Sequence, residues 1–125
     1  MGMYTEIYVN LDLKPTTSPD VIEVLRAIVN YDTDAKCLAP YPPQWARLFA
    51  NGSYYTPRTC AASLTFDAIS GCWSLIGKGD IKNYDKEIQA FFDFIMPWCE
   101  DPDAFIGYYR YEEHREPTLV FSPDV

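Results

Sequence analysis

The sequence predicts an α+β domain in which an antiparallel sheet of about five strands carries two helices on one face. The first observation is an alternation of apolar and polar residues from Thr5 to Leu13, which is typical of a half-buried strand. The second is a pair of later segments whose apolar residues recur with helical spacing. The third is that the remaining strand patterns come in pairs joined by short loops, which favours antiparallel neighbours. Residues 1–125 are expected to form a single domain.

Two helices are predicted. The first covers residues 19–30, where hydroxyl residues at 16–18 offer N-caps and Pro19 suits the first turn. The second starts near Asn83 or Asp85 and closes at Met96, because Pro97 cannot continue it. Apolar stripes at i, i+3, i+4 and i+7 give each helix a core-facing side.

Residues 31–58 form an irregular insert rich in proline and tyrosine. Its prolines deny a regular strand, and only residues 43–50 have the pattern of a short helix. A connection of this length is uncommon in a compact domain and is often functional.

Residues 59–82 are predicted to form a hairpin. If residues 68–71 are the loop, Phe66 pairs with Trp73 and Leu64 with Leu75, which joins the two apolar faces. The glycines of Gly77-Lys78-Gly79 are expected to leave room for a packed aromatic ring or a bulge. A phosphate cradle is the alternative for this segment.

The chain ends in two predicted strands, residues 105–112 and 117–122. Phe105, Gly107, Tyr109 and Tyr111 are expected on one side of the first. The resulting order follows the β-α-β-β-α-β pattern of ferredoxin-like folds with an extra C-terminal strand. That last strand could pair with a second copy of the chain, which makes a homodimer one candidate assembly.

The charge balance restricts the partners. Eighteen acidic residues against ten basic ones give a net charge of −8. Direct binding of nucleic acid or of an anionic membrane is therefore disfavoured, and a protein with a basic surface is the natural partner. No signal peptide or membrane-spanning run is visible, so a cytoplasmic location is expected.

No catalytic motif is present, and the chain is not expected to be an enzyme. His114 is the only histidine, and it lies in a predicted turn where solvation is the default. The four cysteines match neither zinc nor redox spacing and are expected to be free thiols. Acidic turns could hold a hard cation, but solvated carboxylates are the simpler interpretation, so no metal and no cofactor are expected.

Two sets of residues are the candidate binding groups. Tyrosine and tryptophan anchor many protein interfaces, although Trp45 could equally dock the insert on the core. The candidate aromatic anchors are Tyr31, Tyr41, Trp45, Tyr54, Tyr55 and Tyr108. The candidate acidic face is Glu100, Asp101, Asp103, Glu112, Glu113 and Glu116.

Four segments carry a likeness to known proteins: Met3-Tyr4-Thr5-Glu6, Asn83-Tyr84-Asp85-Lys86-Glu87-Ile88, Gly107-Tyr108-Tyr109-Arg110-Tyr111-Glu112-Glu113 and Glu116-Pro117-Thr118-Leu119. In these segments the chain resembles a group of small, uncharacterised phage and prophage proteins. The likeness spans most of the chain except residues 31–58 and includes no catalytic signature. It implies a phage accessory protein, a class that often counters host defences, and a location in the host cytoplasm.

The main hypothesis is a non-enzymatic acidic binding protein that inhibits a basic host protein. The first alternative is a sequestering protein for a nucleotide signal, which would stack the base on aromatics of the insert. Its phosphate contacts would be Arg58, Lys78, Lys82 and Arg110. A small enzyme or metal-binding protein is the second alternative.

Overall fold

The structure is a computed structural model that describes residues 4–49 and 62–123. Within these residues the fold is α+β, with one open antiparallel sheet of five strands and two α-helices, which confirms the predicted class. The elements in chain order are β1 (Thr5–Leu13), α1 (Pro19–Val29), β2 (Ser63–Asp67), β3 (Cys72–Ile81), α2 (Glu87–Ile95), β4 (Phe105–Tyr111) and β5 (Thr118–Phe121).

Strand β1 is the centre of the sheet. The strand order is β2-β3-β1-β4-β5, and β1 pairs antiparallel with both β3 and β4. Its odd-numbered side chains, among them Ile7 and Val9, are buried in one cluster with residues of α1 and α2. Both helices therefore lie on that side of the sheet, since alternate side chains of a strand point to opposite faces.

The opposite side of the sheet, termed the outer face, has no helix over it among the described residues. Register places the even-numbered residues of β1 beside those of β3 and β4. The outer face includes Glu6, Tyr8, Asn10, Asp12, Ser63, Thr65, Ser74, Ile76, Lys78, Asp80, Phe105, Tyr108, Arg110, Leu119 and Phe121.

Helix α1 begins where the sequence predicts. The Ser18 hydroxyl accepts a hydrogen bond from the Asp20 amide at 3.2 Å, and Pro19 occupies the first turn. The helix ends at Asn30, whose amide donates to the Arg26 carbonyl.

Helix α2 begins at Glu87, a little later than predicted, but Asn83 still caps it. The Asn83 side-chain oxygen accepts a hydrogen bond from the Ile88 amide at 2.8 Å. Lys86, at φ 59°, turns the chain into the helix. Pro97 lies in a short 3₁₀-helix, Met96–Trp98, that follows the last α-helical residue, Ile95. The predicted stop at the proline is confirmed.

The predicted register of the hairpin is confirmed over the described part of its first strand, Ser63–Asp67. Strands β2 and β3 pair Leu64 with Leu75 and Phe66 with Trp73. Residues 68–71 form the loop, with Gly71 at φ 76°. The Asp67 carboxylate accepts hydrogen bonds from the Ile69 amide and the Ser70 hydroxyl, and these two bonds lower the pKa of that carboxyl. Cys60, which the same register would place opposite Gly79, lies outside the described residues.

The insert reaches the sheet at the two glycines of β3. A 3₁₀-helix, Pro43–Arg47, contacts both α1 and α2. Leu48 and Phe49 follow it and lie directly over Gly77 and Gly79. A Cβ on Gly77 would come within 2.9 Å of the Phe49 ring, and one on Gly79 would overlap the Leu48 carbonyl oxygen. These glycines therefore leave room for a packed aromatic residue and its backbone, as predicted.

We expect Gly79→Ala to destabilise the protein more than Gly77→Ala, because a carbonyl group cannot move aside as a ring can. Overpacking a filled core costs about 1–3 kcal/mol, and Gly79→Ala should lie at or above the upper end of that range. Urea unfolding of both variants measures the difference, with Ile76→Ala, an exposed position on the same strand, as the control. Equal unfolding free energies for wild type and Gly79→Ala would show that the insert does not sit on the glycine.

Candidate functional site

The centre of the outer face is a pair of stacked tyrosines. The rings of Tyr8 and Tyr108 lie 5.5 Å apart and 30° from parallel. Lys78 lies beside Tyr8 in register on β3, and Leu119 lies beside Tyr108 on β5. The result is a continuous row of side chains across four strands.

The next row of the outer face is charged and largely buried. Register places Glu6 between Asp80 and Arg110, and the Arg110 Nε atom lies 2.8 Å from a Glu6 carboxylate oxygen. Asp80 is only 6% exposed. Burial is the main cause that raises the pKa of its carboxyl to about 6, and the negative charges of Glu6 and Glu112 add to it.

Residues 100–103, termed the acidic loop, are fixed against the end of β5. The Ser122 hydroxyl donates to the Asp101 carbonyl at 2.5 Å and accepts from the Ala104 amide at 2.8 Å. The Ser122 amide donates to the Ala104 carbonyl, and the Asp103 amide to the Pro123 carbonyl. Ser122 is buried, so these bonds fix the backbone of the loop, from which the exposed side chains of Glu100, Asp101 and Asp103 project.

A bulge in β4 turns Phe105 outward, which corrects the prediction that it shares a side with Gly107, Tyr109 and Tyr111. Phe105 pairs with Phe121, but Gly107 already pairs with Val120, so β4 has one extra residue there. The extra residue, Ile106, is buried, whereas Phe105 is 47% exposed.

Three exposed apolar side chains, Phe105, Leu119 and Phe121, form what we term the apolar corner. The rings of Phe105 and Phe121 meet edge to face, with centroids 5.8 Å apart. Leu119 is 53% exposed and Phe121 is 48% exposed. The corner was missed from sequence, although Leu119-Val120-Phe121 contained the necessary signal. In a strand, alternate residues of an apolar run must face away from the core.

The predicted acidic residues are two clusters and not one face. The acidic loop precedes β4, whereas Glu112, Glu113 and Glu116 follow it, so the seven residues of β4 separate them by about 20 Å. Glu112 accepts a hydrogen bond from the Tyr4 amide at 2.8 Å and is partly buried. Glu113 and Glu116 are exposed in the turn before β5.

The candidate aromatic anchors also separate. Trp45 is 2% exposed, and its ring nitrogen donates to the Glu87 carbonyl at 3.0 Å, so it packs in the core and is not available as a surface anchor. Tyr41 stacks on it at 4.8 Å and is half-buried. Tyr31 is exposed beyond α1 at φ 55°, and Tyr108 lies on the outer face. Tyr54 and Tyr55 lie outside the described residues.

Three of the candidate phosphate contacts lie on or beside the outer face. Lys78 neighbours Tyr8, and Lys82 lies 5.9 Å from the centre of the Tyr4 ring. Arg110 is paired with Glu6, so its charge is already neutralised. Arg58 lies outside the described residues. The described insert aromatics Tyr41, Trp45 and Phe49 pack on the helix side of the sheet, so among the described residues these rings and the three cations are not brought together.

The insert instead forms its own open groove of about 610 Å³. Tyr41, Leu38 and Ala46 supply apolar lining, and Lys36 and Arg47 supply two cations. In the described parts of the chain, no carboxylate lies within ion-pair distance of either cation.

The predicted turn histidine and the cysteines are placed as follows. His114 is exposed, and its ring meets the Tyr111 ring edge to face at 5.3 Å. Cys37, Cys72 and Cys99 are free thiols, and burial raises the pKa of Cys99 to about 11. Among residues 4–49 and 62–123, no group of three or more His, Cys, Asp or Glu side chains could hold a metal ion.

Comparison of the chain with protein-family models, with curated protein sequences and with solved structures yields no match. None of the helices in the described ranges combines the length and the apolar character that a membrane crossing requires.

Asp80 predicts a pH-dependent stability. A carboxyl whose pKa is higher in the folded than in the unfolded chain destabilises the fold when it ionises. The penalty is absent below the unfolded-state value of 3.8 and is complete above about pH 6. We expect Asp80→Asn to raise the unfolding free energy at about pH 7.5 by on the order of 1–2 kcal/mol, allowing for solvent screening, with little gain at about pH 4.

Urea unfolding at the two pH values measures this difference. Asp93→Asn, which removes one exposed carboxylate from α2, is the control for net charge. A gain of the same size at both pH values would show that the charge of Asp80 is not the cause.

Proposed function

We propose that the chain is a non-enzymatic binding protein that engages a protein with a basic surface through the apolar corner and the acidic loop. The observation that carries this proposal is the half-exposed group Phe105, Leu119 and Phe121 beside an acidic loop whose backbone is fixed. Contiguous exposed apolar side chains with a polar rim are typical of protein-interaction sites.

The electrostatics supports a basic partner. The net charge of −8 steers cationic surfaces toward the protein, and the acidic loop lies where such a surface would meet the apolar corner. Because Ser122 already fixes the loop backbone, little backbone entropy remains to be lost on binding.

We propose that this binding serves a phage accessory protein that inhibits a host defence protein in the host cytoplasm. The support is the resemblance of several segments to small phage proteins. A host protein that binds nucleic acid has the required basic surface, because it must neutralise phosphates. Occupying that surface with an acidic protein would block it.

We also propose a ferredoxin-like relation for strands β1 to β4 and the two helices, with β5 as the added edge strand. The support is that β1 lies between β3 and β4 and that all neighbouring strands are antiparallel. In such an arrangement each helix links two parallel strands across a third.

A second candidate function is the sequestering of a nucleotide signal, and the insert groove is the observation that favours it. Its volume of about 610 Å³ lies in the range of small-molecule sites. Among the described residues Lys36 and Arg47 have no ion-pair partner, so both can bind a phosphate, and Tyr41 can stack on the base.

We expect the double variant Phe105→Ser/Phe121→Ser to weaken partner binding by about tenfold or more, because buried aromatic anchors dominate interface energies. Immobilised protein is used to capture partners from a bacterial lysate, and the affinity of the purified partner is then measured by biolayer interferometry. Phe66→Ser, an equally exposed phenylalanine on the opposite edge strand, is the matched control.

Salt provides the second readout of this experiment. Binding should weaken as ionic strength rises to about 0.5 M, where charges are screened within about 4 Å. Binding that resists salt, or that Phe66→Ser reduces as strongly as the double variant, would contradict the proposal.

For the second candidate, a thermal-shift screen with linear and cyclic nucleotides is the test. A nucleotide that binds the folded state raises the melting temperature, and Lys36→Gln/Arg47→Gln should remove that shift. Lys86→Gln/Arg115→Gln removes the same charge outside the groove and should retain it. The absence of a shift with every nucleotide would exclude this function.

A further inference from the structure

We infer that the basic partner docks by adding an extended segment to the free edge of β5. That segment has basic residues at its two ends and apolar residues at alternate positions between them. This inference rests on the proposed function and specifies the partner's conformation. It depends on three features of the β5 region: its backbone, its side chains and the charges at its ends.

The backbone of β5 is available on one side. In the described sheet β5 is the last strand, and β4 is its only neighbour. Thr118–Phe121 contains no charged residue and no proline, which are the usual means of blocking an edge. Pro117 blunts the start of the edge, so an added strand would be short and would pair mainly with residues 118–121.

The side chains of β5 define what the added strand must carry. Leu119 and Phe121 point to the outer face and are each about half exposed. A strand added to this edge would lie about 4.8 Å away, so its own outward side chains would cover the exposed parts of both residues. Apolar residues at alternate positions of the segment would extend the apolar corner.

The two acidic clusters bracket this edge. The acidic loop is bonded to Ser122 and Pro123, just after β5, and Glu113 and Glu116 lie just before it. The two clusters that β4 holds apart, the acidic loop and the turn with Glu113 and Glu116, thus place carboxylates at both ends of β5. An extended segment rises about 3.3 Å per residue, so basic residues about six or seven positions apart would reach both clusters.

Two other arrangements fit less well. The opposite edge, β2, presents Ser63 and Thr65 to the outer face, so it offers no apolar surface there. A second copy paired antiparallel through β5 would bring the acidic loop of each copy against Glu116 and its neighbours in the other. Like charges facing each other across such a contact repel.

A synthetic peptide of about ten residues tests the inference on the full-length chain. It has Lys-Arg at both ends and alternating valine and threonine between them, in keeping with the strand spacing. We expect saturable binding, together with slower hydrogen exchange at amides of residues 118–121 measured by NMR. A peptide of equal composition with its valines in one block is the control, and it should bind about tenfold or more weakly.

Variants on the protein separate charge from backbone. Asp101→Asn/Asp103→Asn and Glu113→Gln/Glu116→Gln should each weaken the peptide about tenfold, because each removes one of the two contacts for its basic ends. Glu23→Gln/Asp93→Asn removes two exposed carboxylates from the helices and is the matched control. N-methylation of the alternate peptide amides that face β5 should abolish binding, because it removes the hydrogen-bond donors of the added strand. N-methylation of the other set, which faces away from β5, should leave binding intact.

The outcomes distinguish this inference from the proposed function. Failure of the peptide to bind, exchange slowed at β2 in place of β5, or equal loss with both N-methylated sets would overturn strand addition. The proposed function would stand in those cases if Phe105→Ser/Phe121→Ser still removed the partner. If slow hydrogen exchange at β5 increases with protein concentration and the molecular mass in solution doubles, a second copy of the chain occupies the edge. That outcome would overturn the inference.

Discussion

The structure depends on the contact between the insert and two glycines of β3. At Gly77 and Gly79 the sheet has no side chains, so the backbone at Leu48 and the Phe49 ring lie directly on it. This contact turns a long irregular connection into part of the core. Trp45 can then pack edge to face on Phe91 and donate to the Glu87 carbonyl. The helix side of the described sheet is thereby packed, whereas the outer face, the strand edges and the insert groove stay open to contact.

The outer face has a tyrosine pair and a charged row at its centre, and its exposed apolar side chains are the apolar corner and Ile76 on β3. The charged row Asp80-Glu6-Arg110 is partly desolvated. Burying these charges further in an interface would cost additional desolvation energy, so they are poorly suited to contacting a partner. Burial likewise raises the pKa of Tyr108, and the charge of Glu6 raises it further. Arg110 already pairs with Glu6, whereas Phe105, Leu119 and Phe121 are half-exposed to water. Burying the corner therefore yields a larger free-energy gain per unit area.

The elements that follow regular sequence patterns were predictable, whereas the positions that break those patterns were not. The β2–β3 register followed from the sequence because only one loop length joins the apolar faces through Leu64 and Phe66. The helix start at Ser18 followed from local capping chemistry. The position of Phe105 did not, since one extra residue in a strand reverses every side chain beyond it. The separation of the two acidic segments was already implied by the predicted strand 105–112, because an extended strand of that length holds its two ends about 20 Å apart.

The charge distribution limits the proposed partner more strongly than the apolar corner does. A partner surface that is apolar but lacks cations would gain free energy by burying Phe105 and Phe121. It would also leave the carboxylates around them partly desolvated and unpaired. A nucleic acid would be repelled by the same carboxylates. The opposite edge of the sheet differs, because there Arg26 lies 5.4 Å from the centre of the Trp73 ring, next to the exposed Phe66. The chain thus presents an acidic aromatic surface at one edge and a cation-bearing aromatic surface at the other, and only the acidic one complements a basic protein.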